Sequence, residues 1–405
     1  MEAVWERFLR YVALDTQSDP ESVSCPSTGK QRVLGEMLVR ELQELGAADA
    51  HMDGYGYVYA SLPATGGADL PALGFIAHLD TSPDAPGAGV RPRLVRDYDG
   101  GPIVLNRERG ILLDPAEYEA LSKYRGQTLI VTDGAPLLGA DDKAGVAEIM
   151  VLVETLCQED APAHGKLCIA FTPDEEIGRG TERFDLERFG AQFAYTVDGG
   201  ELGELQYENF NAASAEVLCH GVNIHPGSAK NKMKNALLLA MEFASLLPPA
   251  ETPAHTEGYE GFFHLNGMEG TVEEARLHYI VRDHNREAFL ARKQAMLDAC
   301  SYLCRKHGKD CVELQLRDSY YNMKEYILPH FHLVESARRA MESCGVTPII
   351  TPIRGGTDGA LLSHRGLPCP NLSTGGHHFH GRFEFIPLES MEKMVQVLLA
   401  LCRLP

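Results

Sequence analysis

Several short segments of the chain set histidines or acidic residues at the ends of apolar runs, where their side chains could bind metal ions. The run LGFIAHLD ends with His78 and Asp80, and a spacing of two residues turns both side chains to one face of a strand. We interpret His78 as a metal ligand and Asp80 as the acceptor of its other ring N–H, which would fix the imidazole tautomer. A strand-end hydrogen bond without a metal is the alternative for this pair.

Two further segments offer carboxylates that would have separate tasks. In GADDKAG, Asp141 and Asp142 precede a helical pattern, where acids often cap a helix and interact with its dipole. A dinuclear site needs one carboxylate that presents an oxygen to each ion, and Asp141 is the candidate for this bridge. In TPDEEIGRG, the neighbours Glu175 and Glu176 cannot easily share one direction. We therefore assign Glu176 to a metal and Glu175 to proton transfer as a general base, with a solvated acidic turn as the alternative.

The last two segments supply a carboxylate and a histidine. Asp198 ends the run AYTVDGG, and the glycines after it would let a ligand approach the backbone. TGGHHFHGRFEF contains His377, His378 and His380, and spacing alone does not select among them. Two histidines and three carboxylates would give each of two zinc ions one histidine, one terminal carboxylate and a share of Asp141. With a bridging hydroxide such a site carries no net charge, which removes most of the cost of burying the ions.

The pattern around these segments predicts a sheet that brings them together. Up to residue 208, helical patterns alternate with the apolar runs described above and with TLIVTDG. This alternation is typical of an α/β domain with a mainly parallel sheet, and ligand sites collect at the carboxyl ends of such strands. We expect Asp133, near the end of TLIVTDG, to join the other acids at the edge of the sheet. After residue 320 the same pattern resumes and ends with a helix predicted from residue 388. We therefore predict a discontinuous α/β domain made of residues 1–208 and 321–405.

Residues 209–320 have a different pattern, which consists of a strand, a helix, two strands, a helix and a strand. This β-α-β-β-α-β order is the ferredoxin-like arrangement. We therefore predict that these residues form a second α+β domain inserted into the first.

The composition argues against several classes of protein and partner. With 405 residues, of which 44% are hydrophobic, the chain is long enough for two domains. Charged residues interrupt the first twenty positions, so we expect neither a signal peptide nor a membrane span. Ten cysteines without a CxxC pair indicate reduced thiols and a cytoplasmic location. A formal net charge of -20 argues against nucleic acid as a partner and is compatible with cation binding.

The motifs HLD, GADDKAG, TPDEEIGRG, TVDGG and FHG, in this order and with an inserted ferredoxin-like domain, resemble the M20 family of peptidases with two catalytic zinc ions. NIHPGSAKNKMKNAL, EGYEGFFHLNG and PIRGGTDGALLS are similar to the tripeptide aminopeptidases of that family. The resemblance implies a zinc-peptidase-like α/β domain with a mixed sheet, in which His78 and Asp198 hold one zinc. It implies that Glu176 and His380 hold the other zinc and that Asp141 bridges both, which selects His380 among the three histidines.

The same resemblance implies tasks for two more residues and for the inserted domain. His225 would reach the active site of a dimer partner and stabilise the tetrahedral oxyanion, and Arg354 would bind the carboxylate of a peptide. Without the resemblance, these residues would be interpreted as a turn histidine and a surface arginine. The inserted domain is then a lid and dimerisation domain, and the protein is expected to be a homodimer. The sequence HHFHG departs from the family pattern at His378, which could add a polar contact or a further metal ligand.

The implied activity is hydrolysis of the N-terminal residue from tripeptides by a water activated between two zinc ions, with Glu175 as the general base. Mn²⁺ or Co²⁺ would be substitutes for zinc. A carboxypeptidase, an N-acyl amino acid deacylase or a desuccinylase on the same scaffold would share these ligands and is the alternative. A peptide-binding protein with a decayed site is less consistent with the sequence, because all five candidate ligands and the candidate base are present.

Overall fold

The computed structural model describes residues 2–66 and 70–403, and the chain divides into two compact units. The first unit consists of Met1–Tyr207, Glu325–Thr351 and Thr357–Pro405, and the second of Glu208–Lys324 and Pro352–Gly356. Arg354 thus belongs to the second unit. Each unit has a hydrophobic core of its own.

The strands are, in chain order, β1 (His51–Met52), β2 (Val58–Leu62), β3 (Leu73–His78), β4 (Arg93–Val95), β5 (Ile103–Asn106), β6 (Ile111–Leu113), β7 (Leu129–Val131), β8 (Leu167–Thr172), β9 (Phe193–Gly199), β10 (Glu204–Gln206), β11 (Asn211–His220), β12 (Phe262–Gly270), β13 (Glu274–Asp283), β14 (Val312–Tyr320), β15 (Ile349–Ile350), β16 (Asn371–Ser373) and β17 (Phe385–Pro387). The α-helices are α1 (Val4–Val12), α2 (Lys30–Leu45), α3 (Ala140–Leu156), α4 (Leu186–Phe189), α5 (Ala236–Ser245), α6 (Arg286–His307), α7 (Lys324–Ile327), α8 (His332–Ser343), α9 (Asp358–His364) and α10 (Leu388–Leu401).

The first unit is built on an eight-stranded sheet with the order β1-β2-β8-β3-β9-β16-β10-β15. Its central strands β8, β3, β9 and β16 run parallel, whereas β1, β2 and β10 add antiparallel pairs. β8 is buried along its whole length and β3 nearly so. Strands buried on both faces need continuous apolar runs, and LGFIAH and LCIAFT are such runs. The prediction of an α/β fold with a mixed sheet is confirmed.

Helix α3 is the central helix of this unit. It packs against β3 and β9, and α1 and α10 pack against it in turn. Its sequence GVAEIMVLVETL is apolar on nearly all sides, which is typical of a helix enclosed by other elements. Its first turn is irregular, because Asp141 and Asp142 have non-helical backbone angles and the peptide bond between them is cis.

One predicted strand belongs to a different sheet. TLIVTDG contains β7, which pairs with β17 and β4 in a separate three-stranded sheet. Asp133, at its end, accepts a hydrogen bond from the backbone N–H of Ala135 and stabilises a turn. The expectation that Asp133 joins the other acids at the edge of the main sheet is therefore wrong. The apolar run was identified correctly, but a run of this length does not indicate which sheet it joins.

The second unit contains a four-stranded antiparallel sheet with the order β12-β13-β11-β14, together with α5 and α6. In chain order its elements are β11, α5, β12, β13, α6 and β14, which is the ferredoxin-like sequence of elements. The apolar side chains of α5 and α6 pack against alternate residues of the sheet, as the period-two burial of β11 and β13 requires.

In the described part of the chain, no helix combines the length and the apolar character that a membrane crossing demands.

Candidate metal centre

His78 ends the central strand β3 and is buried, with a side-chain exposure of 2%. The register sets it opposite Thr172 of β8, and Ile76 opposite Thr196 of β9, so His78 is level with Asp198. Its Nε2 atom is 3.4 Å from Asp198 Oδ1. Burial alone would lower the pKa of His78, but the carboxylates around it raise this pKa well above its ordinary value. Burial raises the pKa of Asp198 to about 6, against the opposing effect of His78.

Asp141 lies between two histidines. Its Oδ1 atom is 2.9 Å from His78 Nε2, and its Oδ2 atom is 3.1 Å from His380 Nε2. Burial would raise the pKa of Asp141, but the two imidazoles hold it below its usual value. The carboxylate therefore presents one oxygen to each histidine, which is the arrangement that a bridging ligand requires.

Glu176 completes the side of the site that contains His380. Its Oε2 atom is 2.9 Å from His380 Nε2, and its side chain is only 4% exposed. Burial and the charge of Asp141 raise the pKa of Glu176 to about 8. Hydrogen bonds with Asp141 and Glu176 raise the pKa of His380 to about 11.

The other two histidines of this loop are engaged elsewhere. His377 is buried, its Nε2 atom is 2.6 Å from the hydroxyl of Tyr124, and its ring stacks on Phe385 at 4.8 Å. His378 is exposed and packs edge-on against Tyr118 at 4.8 Å. Of the three histidines that spacing left open, His380 is thus the one whose ring meets the carboxylates.

Glu175 and Asp80 surround the same centre. Single ligand atoms of His78, Glu175 and Asp198 lie within 4.8 Å of one another, and so do those of His78, Asp141 and Glu176. Asp80 is fully buried, and its carboxylate accepts the backbone N–H of Glu175 at 3.0 Å and that of Glu176 at 3.2 Å. Burial and the charge of Asp198 raise the pKa of Glu175 well above its ordinary value.

Asp80 contacts His78 differently from the sequence-based expectation. The Nδ1 atom of His78 is 3.0 Å from the backbone oxygen of Asp80 and 3.5 Å from its carboxylate. The backbone oxygen is therefore the nearer acceptor for the ring N–H. The carboxylate mainly holds the acidic turn that carries Glu175.

Three buried carboxylates with contacts to this region were not singled out by the sequence analysis. Asp174 accepts hydrogen bonds from Ser27 and Gln31, and Asp358 accepts one from the hydroxyl of Thr172 at 2.7 Å. Glu384 accepts three backbone N–H groups in the loop before α3. They lie in the motifs TPDEEIGRG, RGGTDGALLS and HGRFEF, respectively. Their position in these motifs was the one sequence feature that pointed to them. Their partners are distant in sequence, so spacing could not identify them.

Asp142 has a supporting position beside the bridge. Its Oδ2 atom accepts the backbone N–H of His78 at 3.1 Å, and its Oδ1 atom accepts that of Gly145 at 3.2 Å. The second acid of GADDKAG thus connects the end of β3 to the start of α3.

The remaining two predicted residues lie in the second unit. His225 is exposed, and its Nδ1 atom accepts the backbone N–H of Gly227 at 3.2 Å. A neutral imidazole in this arrangement carries its proton on Nε2, which is then the donor nitrogen. The guanidinium of Arg354 donates to the backbone oxygens of Thr256, Gly258 and Glu260 and lies over the ring of Phe210 at 5.1 Å.

The donor set of the first unit fits divalent cations. Three carboxylates and two imidazoles converge, and nitrogen and oxygen donors of this kind suit zinc. Glu176 Oε1 is buried without a hydrogen-bond partner among the described residues, which is costly unless a cation satisfies it. Burial and neighbouring carboxylates raise the pKa values of Glu176 and Asp198, so the site holds an excess of buried negative charge that a cation would balance.

The chain is similar to known proteins over its whole length. A family model described as a peptidase dimerisation domain matches residues 207–307. Proteins named peptidase T from Halothermothrix orenii and from Desulfitobacterium hafniense strain Y51 are 55% and 56% identical over 404 residues. These matches cover 100% of this chain and 99% and 98% of the two relatives.

Solved structures have the same fold. The crystal structure of aminopeptidase PepT from Bacillus cereus matches with a TM-score of 0.77 at 24% identity and covers 98% of this chain and 97% of its own. A tripeptidase from Staphylococcus aureus matches with a TM-score of 0.77 at 21% identity and 99% and 97% coverage. A dinuclear metal binding peptidase of the M20 family from Bacillus subtilis matches with a TM-score of 0.65 at 15% identity and 98% and 96% coverage.

Proposed function

Because the chain belongs to the peptidase T group of the M20 peptidase family and is a peptide hydrolase, we propose that it removes the N-terminal residue from tripeptides at a centre of two divalent cations. The observation that carries the proposal is the position of Asp141, whose two carboxylate oxygens face His78 and His380 separately. A carboxylate in this position supports one shared ligand between two ions.

The proposed ligands divide into two sets around this bridge. His78 and Asp198 would hold one cation, and Glu176 and His380 the other. Zinc is the proposed metal because tetrahedral sites of nitrogen and carboxylate ligands suit it, and Mn²⁺ or Co²⁺ would be substitutes. The solved M20 peptidase from Bacillus subtilis, described as dinuclear, supports a site for two metals in this fold.

Glu175 is the proposed general base. Bound cations would supply the positive charge that makes a water acidic and polarises the peptide carbonyl. The Glu175 carboxylate would take the proton of that water as it attacks, and would return it to the amine that leaves. Its carboxylate lies close to ligand atoms of His78 and Asp198, which supports this task. Asp80 would hold Glu175 in place through the backbone of the acidic turn.

Residues of the second unit would complete the reaction. His225 would donate its Nε2–H to the oxyanion in the active site of a dimer partner, and its Nδ1 contact with Gly227 supports this tautomer. Arg354 would bind the substrate carboxylate, for which it must release at least part of its contacts to Thr256 and Gly258. The match to a peptidase dimerisation domain supports a homodimer. Ten free cysteines support a location in the reducing cytoplasm.

A panel of di-, tri- and tetrapeptides, assayed with and without a chelator, tests the proposal. Hydrolysis of Leu-Gly-Gly should release leucine, stop when the chelator removes the metal and return when zinc is added. Release of the C-terminal glycine instead would show a carboxypeptidase. Glu175→Gln should keep two equivalents of metal and lose nearly all hydrolysis, and near-normal hydrolysis by this variant would rule out Glu175 as the base.

A further inference from the structure

Glu384 is a buried carboxylate that the proposed chemistry does not use. Only 1% of the residue is exposed. Its Oε2 atom accepts the backbone N–H groups of Leu138 at 2.7 Å and Gly139 at 2.8 Å, and its Oε1 atom accepts that of Asp141 at 3.1 Å. One side chain therefore satisfies three donors in four consecutive residues.

These donors belong to a loop that cannot satisfy them itself. The first N–H groups of a helix have no partner within the helix, and Leu138 and Gly139 precede the first turn of α3. Gly139 has a left-handed backbone (φ 80°), and Asp141 has non-helical angles (φ -84°, ψ 103°). The conformation that aims the Asp141 carboxylate at both histidines is thus irregular and depends on an acceptor from outside the loop.

Glu384 also belongs to the loop that carries His380. The backbones of His377 and Phe385 pair with each other at 2.9 Å and 3.1 Å, which closes this loop at its base. Glu384 is next to Phe385, and its backbone N–H donates to Gly381, the residue after His380. A single residue therefore links the loop of Asp141 to the loop of His380.

We propose that Glu384 is a positioning residue that sets the Asp141 carboxylate between His78 and His380, so that the affinity for both cations depends on it. The inference rests on the proposed ligand set. Since Asp141 is the ligand that both cations would share, a displaced Asp141 weakens both sites, whereas the loss of a terminal ligand weakens mainly one.

The test compares Glu384→Gln with Glu389→Gln. The amide that the first substitution introduces would turn an N–H₂ group toward backbone donors that need an acceptor. Glu389 provides a matched control from the same segment, because its carboxylate also accepts a backbone N–H, that of Thr128, at 3.0 Å and 3.1 Å. Affinity for zinc is measured on the metal-free proteins by competition with a coloured chelator, and the Co²⁺ absorption spectrum reports the coordination geometry.

Glu384→Gln should bind both ions about 10- to 100-fold more weakly and change the Co²⁺ spectrum at saturation. Glu389→Gln should keep the wild-type affinity and spectrum, even if its melting temperature falls. If Glu384→Gln does not fold, Glu384→Asp is measured by the same criteria, since it keeps the charge and reaches fewer of the donors.

The inference would be overturned if a folded Glu384 variant kept the wild-type affinity and spectrum. It would also be overturned if Glu389→Gln lost as much affinity for the ions as Glu384→Gln. Either result would leave the proposed function intact. A wild-type protein that hydrolyses tripeptides but does not bind two ions would overturn the ligand set together with the inference.

Discussion

The carboxylate of Asp80 is 3.0 Å from the backbone nitrogen of Glu175 and accepts its N–H. Asp80 also approaches the ring of His78, at 3.5 Å. The residue thus connects the end of β3, which offers a histidine, to the turn after β8, which offers the proposed base. A small change at Asp80 should therefore affect catalysis more than metal content.

Asp80→Asn should lower kcat about 10- to 100-fold while two equivalents of metal remain bound. The reason is that the Asn amide places a donor against the N–H groups of Glu175 and Glu176, which displaces the acidic turn. Steady-state kinetics on a tripeptide and metal analysis of the same sample check this. Asp99→Asn is the control, since Asp99 lies in an exposed turn and accepts the N–H of Gly101 there. A kcat equal to that of the wild type would contradict the role of Asp80.

His380→Ala and His378→Ala should differ in metal content. His380 Nε2 is near Glu176 and Asp141, so its loss should reduce the bound metal from two equivalents to about one. His378 packs against Tyr118 instead, so its loss should leave both ions in place. Elemental analysis of the two dialysed variants measures this difference. If His378→Ala lost an equivalent and His380→Ala did not, the choice between the two histidines would have to be reversed.

His377 should make the stability of the protein depend on pH. Burial, together with the charges of His378 and Lys123, lowers the pKa of His377 to about 3. This pKa lies below the value of about 6.5 that a histidine has in the unfolded chain, so protonation of His377 favours the unfolded state. The free energy of unfolding is therefore highest above pH 6.5 and decreases as the pH falls below that value. When the pH is lowered from 7.5 to 5.5, the free energy of unfolding should decrease by about 1 kcal/mol more in the wild type than in His377→Gln.

Urea unfolding of both metal-free proteins at the two pH values measures the effect of His377. Other titrating groups are shared by the two proteins and cancel in the comparison. An equal loss of stability in wild type and variant would show that the pKa of His377 is the same in the folded and unfolded states.

Glu148→Met should stabilise the protein. Glu148 is fully buried in α3, and neither of its carboxylate oxygens has a hydrogen-bond partner among the described residues. An unsatisfied buried polar group costs about 1–3 kcal/mol, which methionine would recover. The matched control is Glu154→Met on the same helix, because Glu154 binds Arg7 at 2.8 Å.

Glu154→Met should lower the free energy of unfolding by about 2 kcal/mol, since the change leaves Arg7 without one of its carboxylate partners. Thermal unfolding of both variants checks the two signs. A loss of stability in Glu148→Met would mean that the carboxyl group is satisfied in the folded protein.

Local pattern was sufficient to predict the fold class and the order of elements in the inserted ferredoxin-like segment. Period-two burial in β11 and β13 and the apolar runs of β3 and β8 are properties of consecutive residues, so a sequence reveals them. The family of the protein, a peptidase of the M20 type, is confirmed by its relatives. The assignment of individual ligands and of the base stays a prediction.

What the sequence could not reveal depends on contacts between distant segments. Glu384 lies 243 residues from Asp141, and Asp174 lies 147 residues from Ser27. Nothing in the spacing of an isolated acid indicates which backbone N–H groups it will accept. The same reason explains why β7 was assigned to the main sheet, since its partners β4 and β17 are identified only by tertiary pairing.

The order of strands in the main sheet has a consequence for biosynthesis. β16 pairs with β9 on one side and β10 on the other, although about 165 residues separate it from β10 along the chain. While the ribosome is still making the inserted segment, β9 and β10 face an unfilled gap with unpaired backbone groups. The nascent protein therefore cannot close its sheet, or bring His380 to Asp141, until translation is almost complete. Chains truncated before β16 should therefore aggregate, although they contain all of the first two hundred residues.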